Sequence, residues 1–275
     1  MSNITISYLG PQGTNSEFAA LQYNPNAQFI ASHTMYEAMM NVENGISEFA
    51  VCAIENSLEG SVNEVIDILI NPKHDLKIFS ELVVKINHLL VGASGIDLEQ
   101  IDTIYSHPQA LAQCRESIAS LGNQIDLIAS PSTAAAVESA LSIKNACAIA
   151  SSHAAEHYSA TVYKKDFADN VDNFTRFVVI GKTLNSPTGN DKTSIAFTTQ
   201  HDKPGSLVEI LNLFSSQKLN LTKIESRPTK SKLGTYVFLV DVYSHSENEP
   251  LKNVIKEITK IADWIKILGS YPMID

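Results

Sequence analysis

Apolar and polar positions alternate over residues 4–9 with the period of two expected of a half-buried strand, and Gly10-Pro11-Gln12-Gly13-Thr14 turns into a helical stretch at 15–23. The same rhythm predicts a strand near 28–31, a helix near 35–43, a strand at 49–54 and a helix at 62–70. Regular alternation of strand and helix predicts a mostly parallel sheet with helices on its faces. An extended apolar run over 81–92 reads as a crossover strand into a second α/β unit. That unit is expected to hold strands near 103–106, 125–129 and 146–150, each leading into a helix that begins near Pro108, Ser132 or Ser151. Residues 158–181 read as the return to the first unit. The expected result is two sub-lobes, about 1–80 plus 159–183 and about 81–158, with a cleft between them.

Periodicity lapses at Asn185-Ser186-Pro187-Thr188-Gly189-Asn190, whose turn-forming residues suit a linker over 184–191. A second domain then reads as strand 194–199, helix 206–216, strands 219–226 and 235–242, helix 251–261 and strand 265–269. This βαββαβ order is the ferredoxin-like pattern, which serves many functions and names none.

A length of 275 residues agrees with two domains, 1–183 and 192–275. Hydrophobic residues make up 44% and charged residues 18%, the composition of a globular protein, and no apolar run approaches the roughly 20 residues of a membrane span. No basic stretch and signal-type apolar core precede the first strand, so cytoplasm is the expected location. A formal charge of -10 argues against a nucleic-acid partner. Cys52, Cys114 and Cys147 are odd in number and widely spaced, which suits buried reduced thiols better than disulfides or a zinc site. Arg115, Arg176 and Arg227 are the only arginines, so any bidentate grip on a carboxylate by a guanidinium uses one of them.

Candidate chemistry gathers at strand ends. The Gly10–Thr14 turn offers backbone N–H groups and the Thr14 hydroxyl to an anion, or is an ordinary capped turn. Glu55-Asn56-Ser57-Leu58-Glu59-Gly60 ends an apolar strand, where ligand-binding residues collect in open α/β sheets, and that position favours a functional reading over the alternative, a solvated helix-capping turn. Ser106-His107-Pro108-Gln109 repeats the arrangement in the second lobe, with His107 a base or, as a lone histidine more commonly is, a hydrogen-bonded structural group. Ser132 and Thr133 open another helix and are compatible with simple capping. Asn173-Phe174-Thr175-Arg176-Phe177 puts a hydroxyl and a guanidinium into an apolar strand, where Arg176 needs a carboxylate, internal or on a ligand.

Taken in order, Gly10-Pro-Gln-Gly-Thr14, Glu55-Asn-Ser-Leu-Glu-Gly60, Ser106-His-Pro-Gln109, Ser132-Thr133 and Asp172-Asn-Phe-Thr-Arg-Phe177 resemble the successive motifs of the prephenate dehydratase family. The resemblance spans essentially the whole chain. It implies a bilobed, periplasmic-binding-protein-like α/β catalytic region, no cofactor, and conversion of prephenate to phenylpyruvate with loss of water and carbon dioxide. It carries the family's essential threonine onto Thr175, with Glu55, Asn56 and Gln109 as catalytic companions. Arg176, Ser57, Thr14, Ser106, His107, Ser132, Thr133, Asn173 and Phe177 are the implied substrate contacts. Asn15 departs from the family, which usually has an aromatic residue there. Gly205-Ser206-Leu207-Val208 and Glu225-Ser226-Arg227-Pro228 resemble the paired ligand motifs of dehydratase ACT domains, with Ser206 in place of the usual alanine. They imply phenylalanine bound at a subunit interface, hence a homodimer or homotetramer with feedback control. Arogenate dehydratase is the near alternative, and a non-enzymatic amino-acid-binding sensor the alternative of another class.

Overall fold

The structure, a computed structural model, describes residues 4–122, 124–199, 204–229 and 235–274. Residues 1–3, on which the reading of a leaderless start falls, lie outside the described residues. Contacts divide the chain into two compact units: Met1–Asn41, Ser47–Val62 and Val83–Phe177 form the first, and Val42–Ile46, Asn63–Leu82 and Val178–Asp275 the second.

The chain begins β1 (Thr5–Leu9), α1 (Asn15–Tyr23), β2 (Gln28–Ser32), α2 (Met35–Glu43), β3 (Phe49–Asn56) and β4 (Gly60–Ser61). β1 lies between β2 and β3 and runs parallel to both, the β-turn-α succession expected from the sequence. Ile6 and Tyr8 on one face of β1 are fully buried, and so is Ser7 on the other. The Ser7 hydroxyl is satisfied there, donating to the Ala38 carbonyl at 2.7 Å.

After α3 (Asn63–Ile70) and β5 (Lys77–Lys85) come β6 (Leu89–Gly92), β7 (Thr103–Ser106), α4 (Pro108–Gln113), α5 (Arg115–Ala119), β8 (Asp126–Ala129), α6 (Thr133–Leu141), β9 (Ala146–Ala150), α7 (Ser152–His157) and β10 (Thr161–Lys164). Their sheet has the order β10-β6-β9-β7-β8. Every residue of β9 is buried, because its two faces feed different clusters: Ala146, Ala148 and Ala150 meet α6 and α7, while Cys147 and Ile149 meet Ala110, Cys114 and Ile118. A strand covered on both sides reads as a continuous apolar run. Each large apolar side chain buried this way contributes about 1.5–3 kcal/mol. All three cysteines are free and buried, and burial pushes the Cys114 and Cys147 thiols up to about 12.

Two sequence expectations change. The apolar run over 81–92 is not one strand: it breaks at Ile86–His88, where the Ile86 N–H goes to the Asn173 carbonyl at 2.8 Å and the His88 carbonyl accepts from Phe167 at 2.7 Å. Loop partners there replace the ladder. Residues 161–164 do not return to the first sheet but pair antiparallel with β6, so the return begins only with β11 (Phe174–Gly181).

In the second unit follow β12 (Asp191–Thr199), α8 (Ser206–Ser216), β13 (Leu221–Pro228), β14 (Tyr236–Tyr243), α9 (Glu249–Ile261) and β15 (Ala262–Pro272), the βαββαβ order anticipated. The antiparallel sheet runs β13-β14-β12-β15, and α8 and α9 bury Ile210, Phe214, Leu251, Val254 and Ile258 against Ile195, Phe197, Val240 and Val242. Gly269 on β15 registers with Ile78 on β5, and a Cβ there would stand 2.2 Å from the Ile78 carbonyl oxygen. Only glycine permits that approach.

Candidate active site

A cavity of about 760 Å3 lies in the first unit, at the carboxyl ends of β1, β2, β3 and β7. Open α/β sheets bind ligands at such ends because each strand there hands over to a helix N-terminus. α1, α2 and α6 all begin on the cavity wall, at Asn15, Met35 and Thr133. First-turn N–H groups have no intrahelical acceptor and carry the positive end of the helix dipole. No Lys, Arg, Asp or Glu is among the described residues that line the cavity. An anion held here is therefore met by helix ends, neutral donors and histidines.

Of the residues singled out from sequence, Thr14, Asn56, His107 and Gln109 line this cavity. So do Ser132, Thr133, Asn173 and Thr175. Several also hold the local fold. Thr14 caps α1, accepting from the Glu17 N–H at 3.3 Å while donating to the Leu9 carbonyl at 3.0 Å. The Gly13 N–H is taken by Glu17 at 2.6 Å, so that group of the turn is engaged internally. Ser132 caps α6 through the Ala135 N–H at 3.0 Å. His107 caps α4: its Nδ1 accepts from the Gln109 N–H at 3.3 Å, which leaves the ring proton of the neutral form on Nε2.

Asn56 organises the centre of the site. Its Oδ1 accepts the N–H groups of Leu58 at 3.0 Å and Glu59 at 3.1 Å, which fixes the orientation of the amide. Its Nδ2 then donates to Asn173 Oδ1 at 2.7 Å and to Thr175 Oγ1 at 2.9 Å. Because the Thr175 oxygen accepts that bond, its own proton remains available to a ligand. Asn173 is 1% exposed and donates in turn to Gln113 Oε1 at 3.0 Å.

The remaining predicted residues are not among those lining the cavity. On adjacent strands successive side chains point to opposite faces, and Asn56 and Thr175 take the cavity side. Glu55 and Arg176 therefore fall on the other side, where they form an ion pair at 3.5 Å. The internal carboxylate is the partner that Arg176 meets. Ser57 clips the two strand ends together: its N–H donates to the Phe174 carbonyl at 2.8 Å and its hydroxyl accepts from the Phe174 N–H at 3.0 Å. Ser106 is fully buried and donates to the Ile149 carbonyl at 2.6 Å, while Phe177 is packed in the core.

Sequence reasoning missed His33, His88, Gln113, His157 and Tyr158 on the cavity wall. Gln113 was legible, one helical turn after Gln109 and hence on the same face of α4. His88 carried a weaker signal, a polar residue inside an apolar run. Its Nε2 lies 2.9 Å from Gln113 Oε1, and its buried Nδ1 has no hydrogen-bond partner among the described residues. Burial lowers the pKa of His88, the Gln113 bond opposing this only in part, so the ring is neutral and donates through Nε2. Burial also raises the Tyr158 phenol, assisted by Glu138 and Glu17.

In the second unit, Gly205 takes a φ of 91° at the start of α8, and Ser206, Leu207 and Val208 form its first turn. Glu225, Ser226, Arg227 and Pro228 end β13. Arg227 is buried; its guanidinium meets Asp67 on α3 at 2.5 Å, donates to Asn63 Oδ1, and lies 3.7 Å from Glu225.

A cavity at converging helix N-termini, with no Lys, Arg, Asp or Glu among its described lining residues, followed by a βαββαβ unit, defines a small-molecule α/β enzyme with an appended ACT-type domain. Comparison with known proteins makes this specific. The prephenate dehydratase family profile matches residues 6–185, and the ACT domain profile matches 193–259. The chain is 36% identical over 279 residues to a prephenate dehydratase of Methanocaldococcus jannaschii, covering 99% of this chain and 100% of that one. It is 40% identical over 270 residues to a bifunctional chorismate mutase/prephenate dehydratase of Aquifex aeolicus, covering 98% and 74%. The crystal structure of prephenate dehydratase from Arthrobacter aurescens in complex with L-Phe superposes with a TM-score of 0.89 at 33% identity, covering 98% of this chain and 90% of that one. This chain belongs to the prephenate dehydratase family.

Proposed function

We propose that the cavity of the first unit binds prephenate and converts it to phenylpyruvate, with Thr175 donating to the departing hydroxyl. The observation that carries this reading is the Asn56–Thr175 hydrogen bond, which leaves the Thr175 proton for a ligand. In the reaction, the bond from the ring to the carboxylate carbon breaks and its electron pair enters the ring. The C–O bond breaks with its pair on oxygen, and that oxygen takes up a proton to leave as water. A dianion and one proton thus become a monoanion, carbon dioxide and water. A threonine hydroxyl is too weak an acid to supply the proton outright, so it stabilises the charge developing on oxygen. Helix N-termini of α1, α2 and α6 and the polar side chains Gln109, Thr133 and His107 hold the two carboxylates. A strong cation clamp would favour the charged ground state whose loss as carbon dioxide is required, and a wall without lysine or arginine among its described residues avoids it.

Residues 1–183 form the catalytic region in this reading, 184–191 the linker and 192–275 the regulatory domain, in a cytoplasmic enzyme. Phenylalanine is the effector, bound through 205–208 and 225–228 between paired copies. β13 is an edge strand with Ile224 exposed, and Val208 is exposed on α8, which supports a second copy against this face. Among the described residues no helix is long and apolar enough to cross a membrane.

The test is phenylpyruvate release from prephenate by the purified protein, with arogenate run in parallel and phenylalanine titrated into both. Turnover of prephenate that phenylalanine suppresses is expected. Turnover of arogenate alone would reassign the substrate, and phenylalanine binding with no turnover of either would make the chain a sensor.

A further inference from the structure

Thr175 is useful only if its proton points into the cavity, which Asn56 secures by donating to its oxygen, and a chain of side-chain amides holds Asn56 in that place. Glu59 Oε1 accepts from Gln113 Nε2 at 3.2 Å, which turns Gln113 Oε1 the other way. There it accepts from Asn173 Nδ2 at 3.0 Å and faces the Nε2 of neutral His88 at 2.9 Å. With its nitrogen committed to Gln113, Asn173 presents Oδ1 to Asn56, and Asn56 Nδ2 reaches Thr175. Each amide has one orientation that satisfies both neighbours. Reversing any one of them would set two carbonyl oxygens, or two NH2 groups, face to face.

We propose that Gln113, on α4 of the second lobe, is a positioning residue: Leu58 and Glu59 orient the Asn56 amide, and Gln113 holds Asn173 Oδ1 against Asn56 Nδ2, which keeps that donor on Thr175. The proposal rests on the assignment of Thr175 as donor to the leaving oxygen. Gln113 acts on the reaction at a distance, so its removal costs turnover only while Thr175 is there to be aimed. It also draws α4 and the start of β11 together, elements that are far apart in sequence, so the donor is set only when both are in place.

A double-mutant cycle tests this: Gln113→Met, Thr175→Val and the two combined, each assayed for kcat and KM with prephenate and checked by thermal melting. Gln113→Met should lower kcat on the order of 10- to 100-fold with KM within about threefold, and in the Thr175→Val background should change kcat by less than about twofold. Gln113→Glu combined with Glu59→Gln keeps an acceptor for Asn173 and His88 and restores the donor to residue 113 from the other side, and should recover part of the loss; it also carries the test should the methionine variant not fold. An equal loss from Gln113→Met in both backgrounds overturns the proposal, since the residue would then act independently of Thr175. Wild-type turnover in Thr175→Val would instead remove the donor assignment, and the role of Gln113 with it.

Discussion

Thr175 and Arg176 are neighbours in one motif, yet a strand sends them to opposite faces. Only Thr175 lines the cavity, and Arg176 meets Glu55. A donor that strengthens its bond as charge develops on the leaving oxygen should be worth about 10²- to 10⁴-fold in turnover. Thr175→Val, nearly isosteric, is therefore expected to lower kcat by that factor while leaving the melting temperature within a few degrees. Thr175→Ser, which keeps the hydroxyl, should retain most of the rate; phenylpyruvate release reads both. The residues at strand ends and helix starts were legible in the sequence, because the motif order and α/β topology together put Asn56, His107, Gln109, Ser132 and Thr175 on one wall. Which side each takes was only partly legible. The period of two separates Asn56 from Glu55 as it does Thr175 from Arg176, a step that a motif read as a block conceals. The bonds that join His88 and the amides into one chain were not legible, since they depend on contacts between segments 25 to 119 positions apart.

Elements here are joined by a few buried polar contacts whose loss should be measurable. Glu17 on α1 accepts from Tyr8 at 3.0 Å, from the Gly13 N–H at 2.6 Å and lies 2.9 Å from His153 Nε2 on α7. Burial alone would raise its pKa, but the bonds from Gly13, His153 and Tyr8 outweigh it and hold the carboxyl below 4.5. A group whose pKa is lower folded than unfolded contributes stability that is complete above the unfolded value and lost as pH falls through the folded one. Denaturant midpoints measured from roughly pH 6 down to pH 3 should therefore fall in the wild type, and fall less steeply in Glu17→Gln. At the other unit, Gly269→Ala places a methyl 2.2 Å from the Ile78 carbonyl oxygen, a backbone atom that cannot rotate away. A loss of about 1–3 kcal/mol in unfolding free energy is expected, read from urea titration. Helix and strand positions followed from periodicity almost throughout. The break at Ile86–His88 did not, because it is made by partners at Asn173 and Phe167 rather than by a local signal.

At the scale of the whole molecule, phenylalanine bound at the proposed stretches 205–208 and 225–228 would have to act on the proposed chemistry of the first unit. Arg227, in the second stretch proposed to hold phenylalanine, meets Asn63 at the start of α3 and Asp67 one turn on. Asn63 follows Val62 directly, and the Val62 N–H is bonded to the Ile54 carbonyl at 2.9 Å, two residues before Asn56. The connection thus runs from the proposed effector stretch, through one partly buried ion pair and one helix N-terminus, to the strand that carries Asn56. If phenylalanine favours a less active arrangement, it does so by differential affinity for two states, and whatever transmits the difference is needed for inhibition but not for binding. Asp67 lies in neither ligand motif. Asp67→Asn should leave the calorimetric affinity for phenylalanine within about threefold while weakening its inhibition of turnover about five- to tenfold, within the usual range of a coupling free energy. Linkage requires the reciprocal effect: prephenate should weaken phenylalanine binding in the wild type and do so less in the variant. Inhibition unchanged by Asp67→Asn, with the protein folded, would mean that the signal leaves the second unit by another route than α3.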